Sequence, residues 1–284
     1  MKVWFFGVLV VMALVLQGCA RFSVESRVEN ADSMAEQAGW KKQTLFTEYF
    51  AIRSYAPSLE KATPNDSLAI YIEGDGLAWI SRTKPSSNPT PINPVALRLA
   101  LKDQSDVVYL GRPCQYVESE NCSQQYWTNA RFGPEVVASI NQAVSLVKVE
   151  RGARQLTLVG YSGGGAVAAL VTARRDDVVR LVTVAGNLDH QKWTQRFNVS
   201  PLTASLNPAD YWEKLINISQ LHLVGEKDLT VPLFVAESYQ ARFPEGNKPP
   251  IKVVAGFDHH CCWAERWPEL MEWEWVQSVT DVNR

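Results

Sequence analysis

Short aliphatic and β-branched runs alternate along this chain with longer amphipathic stretches. Strands are predicted at Phe46–Ile52, Leu68–Ile72, Val107–Leu110, Leu156–Val159, Leu181–Val184, Leu221–Val224 and Ile251–Val254, each a compact apolar run bounded by turn residues. Helices are predicted near Pro94–Lys102, Pro134–Glu150, Gly165–Arg174 and Val235–Phe243, with a last one from about Ala264. Pro134 falls in a first helical turn, where proline is favoured. Strands alternating with helices define an α/β class: a mostly parallel central sheet flanked by helices on both faces. In such sheets ligands bind beyond the carboxyl ends of the strands. No repeat, low-complexity tract or long Gly/Ser linker interrupts the body, so 41–284 reads as one domain.

The N-terminus has a different pattern. Lys2 is followed by an uncharged, almost wholly apolar run, Val3–Leu16, ending in Gln17-Gly18-Cys19. The run is short for a membrane span and has the layout of a secretory signal peptide. Its end resembles the lipobox of bacterial lipoproteins, in which the cysteine sulfur takes a diacylglycerol. That resemblance makes 1–18 a signal peptide, Cys19 the lipidation site and 19–40 a polar tether. The alternative is an ordinary cleaved signal with Cys19 incidental. The lipoprotein reading puts the protein at a bacterial cell envelope, facing the periplasm and held on a membrane by acyl chains. Ala20 is not the Asp that resembles an inner-membrane retention signal, which favours the outer membrane.

An oxidising compartment changes the meaning of the cysteines. Beyond Cys19, the body carries Cys114, Cys122, Cys261 and Cys262, an even number with three pairings open. Cys114 with Cys122 closes a short polar loop and is geometrically the easiest. The adjacent Cys261 and Cys262 would then pair with each other, and cross-pairing stays open. The net charge of −2 gives no reason to expect nucleic acid as a partner. Four of the ten tryptophans, Trp263, Trp267, Trp273 and Trp275, crowd the C-terminus at helical spacing and read as core.

The strongest chemical signal is Gly160-Tyr161-Ser162-Gly163-Gly164, set between an apolar strand and a helix-compatible run. Strand, tight turn and helix form the setting of a nucleophile elbow. Side chains two residues either side of the serine would collide, and Gly160 and Gly164 remove them. A serine nucleophile needs a base and an acid that orients the base. Gly225-Glu226-Lys227-Asp228-Leu229-Thr230-Val231-Pro232 follows one strand and Gly256-Phe257-Asp258-His259-His260 follows the next. The first resembles the acid loop of α/β-hydrolases, which makes Asp228 the candidate acid with Glu226 its rival, and the second resembles their histidine loop, which makes His259 the candidate base. Adjacent ligands point in different directions, so His259-His260-Cys261-Cys262 is a poor metal set and no metal or cofactor is expected. An oxyanion hole needs two backbone donors, and Gly163, just after the serine, is one candidate; Glu73-Gly74-Asp75-Gly76 resembles the His-Gly-x-Gly loop of α/β-hydrolases, which makes Asp75 the other. Glu73 and Asp75 would add negative potential that disfavours carboxylate substrates.

Together these features resemble the α/β-hydrolase superfamily over about Phe46–Trp275. Gly-x-Ser-x-Gly, Gly-x-x-Asp-x-x-Val-Pro and Gly-x-x-His match its nucleophile, acid and histidine loops. Glu73 stands where a His-Gly-x-Gly loop has histidine. With Gly111-Arg112-Pro113-Cys114-Gln115-Tyr116, the chain is similar to uncharacterised hydrolase-like lipoproteins of bacteria. The resemblance implies a Ser162–Asp228–His259 triad, acyl-enzyme chemistry on an ester, thioester or amide, and a small-molecule or acyl substrate. It also places Gly186–Lys214 where the superfamily inserts a lid, although an ordinary loop with packed aromatics reads equally well. Fold does not fix function, so the alternative is an inactive hydrolase-fold lipoprotein that acts as a binding or envelope-interaction module.

Overall fold

A computed structural model of the chain describes residues 23–59 and 66–272. The expected signal peptide, Cys19, Trp273 and Trp275 lie outside the described residues. Helix α1 (Val24–Gln37) precedes a hairpin of β1 (Trp40–Phe46) and β2 (Ala51–Pro57). Then come β3 (Ser67–Ile72), α2 (Val95–Ala100), β4 (Val107–Leu110), α3 (Pro134–Arg151), β5 (Gln155–Tyr161), α4 (Gly163–Thr172) and β6 (Val178–Val184). The chain continues through α5 (His190–Phe197), α6 (Trp212–Leu215), β7 (Ser219–Gly225), α7 (Leu233–Gln240) and β8 (Ile251–Val254). A further helix occupies 267–272.

The eight strands form one sheet in the order β1-β2-β4-β3-β5-β6-β7-β8. β1–β2 and β2–β4 pair antiparallel, and the remaining pairs are parallel. Both faces are covered, so the central strands are apolar at nearly every position. Leu68, Ile70 and Ile72 of β3 pack on one face with α3 and α4, while Ala69 and Tyr71 pack on the other with α2 and Trp267. Trp263 and Trp267 are fully buried, as core residues should be.

Two expectations change. The predicted strand Phe46–Ile52 is instead broken by the turn of the β1–β2 hairpin at 47–50, with Phe46 ending β1 and Ala51–Ile52 opening β2; the Thr47 N–H closes the turn by donating to the Phe50 carbonyl at 3.0 Å. β1 is an edge strand with mostly exposed positions, so its Lys41-Lys42-Gln43 run carries no apolar signature. Most of the expected tether is helix α1. The Ser23 hydroxyl caps it by accepting from the Ser26 N–H at 3.1 Å, and Ala31 and Ala35 are buried. Its buried Arg27 donates to the carbonyls of Asn88 and Thr90. A polar helix docks here because its one large buried side chain meets carbonyl acceptors at Ser23, Asn88 and Thr90.

Candidate active site

Ser162 sits between β5 and α4 at φ 52°, ψ −121°, a region that non-glycine residues rarely occupy. Close packing around it accounts for the flanking glycines. A Cβ on Gly160 would lie 2.3 Å from the Gly164 carbonyl oxygen, and one on Gly164 would lie 2.3 Å from that of Ile72. The strained residue is held by its own backbone: its N–H donates to Val184 at 2.9 Å, and its carbonyl accepts from Gly165 and Asn187. The result is a half-exposed hydroxyl at the carboxyl edge of the sheet.

Asp228 follows β7 and is buried. One carboxylate oxygen accepts from the Thr230 and Val231 amides, both at 2.8 Å, and the other lies 2.8 Å from His259 Nδ1. His259 Nε2 lies 3.0 Å from Ser162 Oγ. With Nδ1 protonated towards the carboxylate, Nε2 is free to accept a hydrogen bond from the serine hydroxyl. The two loops are joined by the Lys227 N–H donating to the Phe257 carbonyl at 2.7 Å. The Tyr161 hydroxyl and the Trp263 indole donate to the His259 carbonyl at 3.0 and 3.2 Å. The rival residues point elsewhere: Glu226 accepts from the Gly256 amide, and His260 is exposed, with Nδ1 3.2 Å from the Tyr161 hydroxyl.

Gly163 opens α4, so its N–H has no intrahelical acceptor. The Asp75 N–H likewise has no acceptor among the described residues. The Asp75 loop is held from below. Gln115 donates from its side-chain amide to the Gly74 carbonyl at 2.9 Å and accepts from the Arg112 N–H at 3.0 Å. Gly76 has φ +64°, and a Cβ there would meet the Pro89 carbonyl oxygen at 2.0 Å. Glu73 is buried and accepts from the Gly74 and Ala96 amides and the Tyr109 hydroxyl. Burial pushes its carboxyl up to about 7. Cys114 is joined to Cys122 in the stretch that carries Gln115, and Cys261 is joined to Cys262 just after His259. Among the described residues no group of His, Cys, Asp and Glu side chains could hold a metal ion.

Two residues whose role the sequence did not suggest bear on the negative charge expected of Asp75. The Asp75 carboxylate lies against Gly163, with one oxygen 2.0 Å from where a Cβ would stand. It is ion-paired to Arg131 at 2.8 Å and to Arg112 at 3.4 Å. Two guanidinium groups therefore face the one Asp75 carboxylate. A neighbouring cleft of about 650 Å3 is lined mainly by apolar groups, among them Trp79, Trp193, Phe197, Leu202 and Leu229, with Arg131 in its wall. Trp193 and Phe197 come from α5, inside the 186–214 segment, and the Trp193 indole donates to the Thr230 carbonyl at 2.7 Å.

No protein-family model and no curated protein matches the chain. Solved structures do. Est1E from Butyrivibrio proteoclasticus aligns with a TM-score of 0.58 at 12% identity, over 84% of this chain and 99% of its own. A Pyrococcus furiosus esterase aligns at 0.56 and 14%, over 85% and 89%. A membrane phospholipase A described as a bacterial virulence factor aligns at 0.53 and 18%, over the whole of both chains. Strand order, elbow and these likenesses agree that the chain has the α/β-hydrolase fold.

Proposed function

We propose that this protein is a serine hydrolase that cleaves a carboxylic ester, thioester or amide at the bacterial cell envelope, where a lipid on Cys19 would hold it to the membrane. The observation that carries this reading is the continuous hydrogen-bonded path from Ser162 Oγ through His259 to the buried Asp228. Ser162 Oγ would attack the scissile carbonyl while His259 Nε2 takes its proton, and Asp228 would stabilise the resulting imidazolium. The carbonyl oxygen, now anionic, would accept from the Gly163 and Asp75 N–H groups. Collapse would release the leaving group with the proton from His259 and leave an acyl-Ser162, which water then cleaves by the same steps. This chemistry needs no cofactor. The names of the aligned esterase and phospholipase agree with ester chemistry.

A fluorophosphonate probe should label Ser162, and Ser162→Ala should abolish labelling while the protein stays folded. Equal labelling of the variant would remove the assignment. Radiolabelled palmitate incorporation that depends on Cys19 is the matching test of the anchor, and incorporation that persists in Cys19→Ala would overturn it. One observation favours the inactive binding module: a carboxylate, Asp75, lies against Gly163, where negative charge would develop. Its two arginine partners weaken that objection, and a binding module would not be labelled.

A further inference from the structure

The cluster of Arg112, Asp75 and Arg131 holds more charge than it neutralises. Side-chain exposure is 5% for Arg112 and 9% for Arg131, against 19% for Asp75. Among the described residues, Asp75 supplies the only ion pair to either arginine. The remaining hydrogen-bond and ring contacts are uncharged, although the Glu73 carboxyl also acts on Arg112 through space. Arg112 donates to the Arg131 carbonyl and stands 5.6 Å from the centre of the Phe132 ring, and its buried Nε has no partner. Arg131 Nε donates to the Thr128 carbonyl at 2.7 Å, Nη1 serves Asp75, and Nη2 has no partner among the described residues. Burial pushes the Arg112 guanidinium down only to about 10, so it stays charged at neutral pH. A buried charge without a counter-ion is costly, and such sites bind an anion readily.

Position gives that surplus a use. Arg131 lines the apolar cleft, and only the width of the Asp75 carboxylate separates its guanidinium from Gly163. An anionic group bound to Arg131 would therefore lie beside the reacting carbonyl, with an apolar chain against Trp193, Phe197 and Leu229. We propose that Arg131, backed by Arg112, is an anion subsite that selects amphiphilic acyl substrates bearing a carboxylate or phosphate group. This rests on the hydrolase reading for its catalytic meaning, but anion binding itself does not require turnover. Arginine suits the role because its planar fork matches either anion.

The test compares the full-length protein in detergent on the 4-nitrophenyl monoester of adipic acid and on 4-nitrophenyl hexanoate, which differ by one terminal carboxylate. The wild type should favour the anionic ester in kcat/KM by at least about tenfold. Arg131→Gln should bring the ratio to about one or below, and Arg131→Lys should keep part of the preference. A wild-type ratio of one or less, or an unchanged ratio in a folded Arg131→Gln, overturns the subsite. A second arm does not depend on catalysis: calorimetry of decyl phosphate, below its micelle concentration, with Ser162→Ala. Adding Arg131→Gln should weaken binding at least about tenfold, and equal binding by both proteins overturns the proposal. Inorganic phosphate binding as tightly as decyl phosphate would overturn the amphiphilic part. If neither ester is turned over and no probe labels Ser162, but decyl phosphate binds through Arg131, the hydrolase reading fails and the subsite stands.

Discussion

The two sides of Ser162 are built on opposite electrostatic plans. On the histidine side each group has its partner. Asp228 gives one oxygen to two amides and the other to His259, and the histidine passes its remaining nitrogen to the serine. All of this comes from two adjacent loops joined by one backbone bond. On the Gly163 side the groups come from three distant segments, and two arginines share one aspartate. In the proposed reaction the histidine side would move a proton along a fixed line, which works best when every group is satisfied. The Gly163 side leaves a charge and a free guanidinium corner, which suits a place where substrates are chosen. Different kinds of damage should follow from disturbing each.

The largest effect should come from cutting the proton path. His259→Ala should lower ester turnover by at least about a thousandfold, roughly 4 kcal/mol of transition-state stabilisation. His260→Ala should cost no more than about tenfold, since that ring meets Tyr161 rather than Ser162. Steady-state rates of the two folded variants decide between them, and the reverse ranking would move the base to His260.

The same contrast shows what a single sequence can reveal. The nucleophile, acid and histidine candidates stand out because each lies within a few residues of a strand end and glycines mark the tight backbone. Val107–Leu110 and Ile251–Val254 are strands with the boundaries their apolar runs predict. The polar edge strand β1 has no such run. Helix α1 looks like a tether because Arg27 is buried through carbonyls more than 60 positions away. Arg131 meets Asp75 across 56 positions, and nothing near either residue announces the pair. Reading Asp75 from its charge alone therefore misses both of its arginine partners. What escapes is whatever depends on a long-range partner.

A smaller effect, in stability, should separate the two sides by pH. Glu73 supports the Asp75 loop from inside the fold, and burial raises its carboxyl from 4.5 to about 7. Below about pH 4.5 both folded and unfolded chains hold the proton, so the group adds no pH dependence. As pH rises towards 7 the unfolded chain releases the proton while the folded chain keeps it, and stability falls. Above 7 the folded protein carries a buried carboxylate, and the loss levels off at up to about 3 kcal/mol. Glu73→Gln keeps an acceptor oxygen for the Gly74 and Ala96 amides and cannot ionise. Relative to the wild type, the variant should therefore gain stability between pH 5 and pH 8, read as a rising difference in unfolding free energy from urea titrations. A difference that stays flat across that interval would mean that Glu73 is ionised throughout, with its three hydrogen bonds offsetting the cost of burial. The Glu73 carboxylate would then offset the single surplus charge of the two arginines, and the anion preference should weaken with it.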